Sequence, residues 1–186
     1  MHANPQQPCV KSSKLWPTAL KEKQYGLVTV QPHYGSTLDE GVETISAWLA
    51  MQPDAIFVIH TGWAHHAKRV GEYANDDVTG KMQHSPAYIA ALVAALQKQH
   101  PERKFRQTHA IDLLAKIAAD VECGKAPISD VAELHRDAIH MKHESGKYLM
   151  HNAMRHALGQ PRSSKGFEKI DAEMKTYLDS VLDTLK

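Results

Sequence analysis

Asp137 and His140, three positions apart in SDVAELHRDAIHMKHESGKYLMHNAMRHALG (129–159), are the residues whose types and spacing most directly suggest chemistry. An aspartate placed this way on a turn can accept the imidazole Nδ1 proton, which leaves Nε2 free to act as a general base. Four more candidates fall at or just beyond the ends of apolar runs: Gln31 and His33 after GLVTV, His60 after AIFVI, and His109 after KFRQT. Trp63 follows His60 closely and could supply a flat apolar surface to a substrate. His135, His140 and His143 with Asp137 loosely resemble metal-ligand spacing. No H-E-x-x-H or C-x-x-C frame accompanies them, so no metal and no cofactor are expected. His65, His66, His84 and His100 are read as solvated surface residues.

Strands and helices must position these groups. The apolar, β-branched runs 26–31 and 55–60 have strand length, and 104–109 is the third and weakest strand signal. A helix is expected over 15–23, with Trp16 and Leu20 facing inward. Thr37 with Glu40 three residues later forms a capping box, and Val42, Ile45, Trp48 and Leu49 follow at helical spacing. Ser85-Pro86 starts another helix, whose stripe is Ile89, Leu92, Val93 and Leu96. Ile111, Leu114, Ile117, Ala118 and Val121 mark the next. The helix after His140 should bury Leu149, Ala153 and Ala157, widened by Met150, Met154 and Leu158, with Lys147, His151 and Arg155 solvated. A linker over 159–166 precedes a last helix burying Phe167, Ile170, Met174, Tyr177, Val181 and Leu185.

Strands alternating with helices predict parallel strands in a three-layer α/β fold, with ligands bound beyond the carboxyl ends of the strands. That rule gathers His33, His60 and His109 at one edge, facing the loop that carries Asp137 and His140. The long polar connection 61–85 leaves from the same edge and is expected to form a rim or lid.

The frame RDAIHMKHESGKYLMHNAMRHALG, a D-x-x-H followed by a spacer, a glycine and a helix, resembles the last motif of the SGNH (GDSL-like) hydrolases. VTVQPHYG resembles a divergent, glutamine-containing form of that family's G-x-N-D motif. The resemblance covers about residues 15–159. It implies a mostly parallel, flavodoxin-like or SGNH-like sheet and cleavage of ester or acyl-carbohydrate bonds. It also implies His140 as general base, Asp137 as its orienter, and His33 or Gln31 as oxyanion donors. Trp63, His60 and His109, at or after strand ends, are expected to bind substrate. The family's G-D-S unit, which carries the nucleophilic serine, has no counterpart here. Ser12 and Ser13 lie in a polar run with no strand to present them. The first strand-helix units are therefore expected to be missing. The alternatives are an inactive or truncated remnant that binds without catalysis or, further off, a histidine-rich metal-binding protein. Without a preceding strand, 26–31 would become an apolar edge, which a homo-oligomer could cover.

Composition bounds the remaining classes. The chain has 186 residues, 22 basic against 21 acidic, for a net charge of +1. Such balance argues against partners held by bulk charge, whether nucleic acid or membrane surface. Two cysteines, Cys9 and Cys123, do not make a disulfide framework. No apolar run reaches the length of a membrane span, and the first 14 residues lack the hydrophobic core of a signal peptide, so a cytoplasmic location is expected. The expected organisation is a polar segment 1–14, an α/β domain 15–159, and a linker with C-terminal helix 160–186.

Overall fold

The computed structural model describes residues 16–185. Among them are seven α-helices and one sheet of three parallel strands in the order β1-β2-β3. The succession is α1 (Trp16–Glu22), β1 (Leu27–Val30), α2 (Leu38–Met51), β2 (Ile56–Ile59), α3 (Arg69–Tyr73), α4 (Pro86–Gln99), β3 (Phe105–Gln107), α5 (Ala110–Glu122), α6 (Ser145–Ala157) and α7 (Ala172–Leu182). Each strand falls within its expected run and pairs in parallel with its neighbour, Leu27 opposite Ile56 and Phe57 opposite Phe105. The chain is thus α/β. Ser12 and Ser13 lie outside the described residues.

The helix starts follow local chemistry. Thr37 Oγ1 accepts the Glu40 N–H while Glu40 Oε2 accepts the Thr37 N–H, closing the capping box that begins α2. Ser85 Oγ accepts the Tyr88 N–H at 3.0 Å, and Pro86 occupies the first turn of α4.

Strand pleating sets the layers. Val30, Phe57 and Ile59 face α2 and α4, where they bury with Ile45, Leu49, Tyr88, Leu92 and Leu96. The opposite sheet face carries Leu27, Thr29, Ile56, Val58 and Arg106. Val58 is fully buried there, and Arg106 Nη1 donates to the carbonyl of Ala157 at the end of α6. Toward β1 this face opens: Leu27 is 36% and Ile56 38% exposed. A second apolar cluster joins α5, α6 and α7 through Leu114, Ile117, Leu149, Ala153, Leu178 and Val181.

Two expectations about the C-terminal third need correction. Lys147, His151 and Arg155 are half-buried rather than solvated, because residues 160–171 fold back over α6. His151 packs beside Phe167 at 5.3 Å, and Arg155 Nε donates to Pro161 O at 2.6 Å. Buried Asn152 fixes that return by bonding both the N–H and the carbonyl of Ser163. The last helix starts later than expected. Asp171 caps it by accepting from the N–H groups of Glu173 and Met174, so its deepest residues are Leu178, Val181 and Leu182.

Buried Gln52, at the end of α2, anchors the first helix. Its amide donates to the carbonyls of Leu20 and Lys23 and accepts the Tyr25 N–H.

Candidate functional site

The loop carrying Asp137 and His140 is a short antiparallel excursion. His135 bridges Met141, Arg136 N–H donates to His140 O at 2.9 Å, and Lys142 N–H donates to Leu134 O at 2.8 Å. At its tip, Asp137 Oδ1 accepts the backbone N–H groups of His140 at 2.8 Å and Ile139 at 3.1 Å. Those donors, His140 first, hold the carboxyl well below the usual carboxylate range. His140 Nδ1 lies 2.9 Å from both carboxylate oxygens. An ionised carboxylate only accepts, so Nδ1 carries the proton and the neutral ring keeps its lone pair on Nε2. The pair is open to solvent, His140 at 58% and Asp137 at 48% side-chain exposure.

Two bonds clamp this loop to the segment after β2. Trp63 Nε1 donates to Ile139 O at 2.6 Å, and His66 N–H donates to Ala138 O at 3.1 Å. A cavity of about 570 Å³ results, bounded by Gln31, Tyr34, Gly62, Trp63, His65, Lys68, Glu72, His84, Ile139 and His140. Gln31 follows β1 and Gly62 follows β2, so the cavity lies beyond the carboxyl ends of these two strands.

The structure brings Gln31, Trp63 and His140 together on this wall, with Asp137 behind His140. The other three expected residues are elsewhere. His33 is exposed, 3.3 Å by Nδ1 from Ser36 Oγ. The 33–36 turn, closed by Ser36 N–H to His33 O, sends Tyr34 into the cavity instead. His60 is half-buried, with Nδ1 at 3.0 Å from Thr108 Oγ1 and its ring edge against Trp63, and burial lowers its pKa. His109 adopts φ +54° ahead of α5 and pairs with Asp112 at 2.9 Å. It borders separate cavities of about 240 and 270 Å³. The sheet order accounts for this: β3 is the strand farthest from β1, while His140 stands over the ends of β1 and β2.

The connection 61–85 does form a wall of the cavity, and it is not structureless. It contains a 3₁₀ turn, His66–Lys68, and α3. His84 and His100 also depart from the solvated reading. His100 Nε2 meets Ser46 Oγ at 2.8 Å. His84 is 13% exposed, with Nδ1 3.0 Å from Oε2 of buried Glu72. Glu72 and His84 are among the site residues that sequence reasoning missed, because their twelve-residue separation has no periodic signature.

No family model, curated protein or solved structure matches this chain. Among the described residues, no three His, Cys, Asp or Glu side chains are grouped to hold a metal ion, and no helix is long and apolar enough to cross a membrane.

Proposed function

We propose that this chain is an SGNH-like hydrolase acting on ester or acyl-carbohydrate bonds. The observation that carries the reading is the Asp137–His140 pair, with Nδ1 satisfied by the carboxylate, at a cavity that β1 and β2 feed with Gln31 and Trp63. In this reading His140 Nε2 takes a proton from an attacking water, whose oxygen bonds to the acyl carbon as the alcohol leaves, and Asp137 stabilises the imidazolium that forms. The Gln31 amide donates to the oxygen on which charge develops.

A second reading has its own support. Among the described residues, none of the cavity's side chains is a serine, threonine or cysteine. That favours a protein that binds the same small ester or carbohydrate without cleaving it. Hydrolysis of a short-chain aryl ester separates the two. The hydrolase reading expects turnover that falls by about 10³-fold or more in His140→Ala and in Asp137→Asn. Turnover unchanged in both variants removes the pair from the mechanism, and no turnover in the parent chain leaves the binding reading.

A further inference from the structure

The cavity holds a second carboxylate–histidine pair, better buried than the first. Glu72 Oε2 accepts both the backbone N–H and the ring Nδ1–H of His84, each at 3.0 Å. Two donors from one residue on one oxygen prevent the ring from turning. Since the carboxylate only accepts, Nδ1 holds the proton and the neutral ring presents a lone pair at Nε2. Tyr34 stacks on the ring at 5.4 Å and 20°, fixing its plane.

The ring's far edge borders Gly62, where a Cβ would stand 3.3 Å from both His84 Nε2 and Cδ2 and 2.9 Å from Gln31 Nε2. The far edge of the His84 ring and the Gln31 amide thus flank the same glycine, near enough together for one ligand oxygen to reach both. Tying α3 to residue 84 explains the two bonds to Glu72. It does not explain why the far edge of the ring lies beside the Gln31 amide on the cavity wall.

We propose that His84, positioned by Glu72, and Gln31 form a hydroxyl-recognition corner, and that the ligand of this cavity is a polyhydroxylated ring. A hydroxyl is the group that satisfies both partners at once, donating to His84 Nε2 while accepting from Gln31 Nε2. A carboxylate has no proton for the first, and an ammonium no lone pair for the second. Tyr34, 50% exposed, and Trp63 add aromatic surface on the same wall, suited to the apolar face of a sugar ring. The inference rests on the hydrolase reading only in making this corner the seat of the substrate's alcohol portion, with the second Gln31 amide proton left for the developing oxyanion; as a binding claim it stands separately.

Histidine-ring NMR on the full chain at about pH 7.5 tests it. The probe is methyl glucoside; tetrahydropyran, the same ring without hydroxyls, and acetate are the controls. The free chain should show the Nδ1–H tautomer at His84. Methyl glucoside should move the His84 Nε2 signal saturably, and neither control should do so. Glu72→Gln and His84→Phe, the latter keeping a ring for Tyr34, should each weaken glucoside binding about tenfold. An Nε2–H tautomer, a His84 signal unmoved by glucoside, or a response to acetate would each overturn the proposal. Ester turnover is scored apart. Glucoside binding at His84 without turnover refutes the hydrolase reading alone, whereas turnover with His84 unmoved refutes this inference alone.

Discussion

Replacing Gly146 with alanine sets two known effects against each other. Gly146 sits in the first turn of α6, where intrinsic helix propensity favours alanine by about 1 kcal/mol. The alanine Cβ would lie 2.2 Å from the carbonyl oxygen of Leu134 and 2.9 Å from Met141 Sδ. The sulfur can rotate away. The oxygen is backbone and already accepts the Lys142 N–H, so helix and loop must separate by about 1.2 Å to reach the 3.4 Å of ordinary contact. Overpacking against rigid backbone costs about 1–3 kcal/mol, and the lower end already cancels the propensity gain. We expect Gly146→Ala to gain nothing and to lose up to about 2 kcal/mol net in urea unfolding. The 134–142 excursion carries Asp137 and His140, so the His140 ring signals should shift as well. A variant stabilised by the propensity increment, with those signals unmoved, would refute the close packing argued for this turn.

Other perturbations have equally definite outcomes. Burial lowers the pKa of His60 and of His135, so the unfolded rings protonate near 6.5 while the folded ones resist. Stability should therefore fall as pH drops below about 6.5, and His60→Gln should flatten the dependence of Tm on pH; a Tm rising on acidification contradicts the assignment. Gln52→Leu leaves the Tyr25 N–H and the carbonyls of Leu20 and Lys23 unpaired, for a loss of about 2 kcal/mol and faster proteolysis near residues 20–25. A change below about 0.5 kcal/mol would discount that anchor. Trp63→Phe removes the donor to Ile139 O; expected are about 1 kcal/mol lost and a more mobile His140 ring by NMR relaxation. The open face at Leu27 and Ile56 is expected to drive self-association that Leu27→Lys reduces in light scattering; a parent chain monomeric at all concentrations counts against it.

β1 and β2 were legible because each is a short apolar run bounded by breakers, β3 only weakly because Arg106 and Gln107 make it polar, and α2 and α4 because capping residues mark their starts. The Asp137–His140 pair was legible because its bonds are local and need nothing beyond a four-residue turn. Long-range packing decided the rest. His33 and Tyr34 are adjacent in sequence, and the hydrogen bonds between Gly35, Ser36 and Met82 decide which one reaches the cavity. His109 lies two residues past the end of its strand, at the start of α5, and which edge of the sheet that strand occupies depends on pairing order. His84 looks like any polar histidine until α3 brings Glu72 beneath it.

The sheet order has a consequence for how the molecule is made. Each strand pairs with the one synthesised before it, so a chain emerging from the ribosome can dock β2 on β1, then β3 on β2, without holding an edge open for a later arrival. The cavity obeys a different schedule. Gln31, Trp63 and His84 are in place once the first hundred or so residues have folded, but His140 closes over them only when residues 134–142 and α6 are complete. If the sheet forms before α6 is complete, the nascent chain passes through a stage with an unroofed site, in which Trp63 awaits the carbonyl of Ile139. Stalled chains ending before and after α6 would differ in the burial of that indole, and its fluorescence would time the closing of the site.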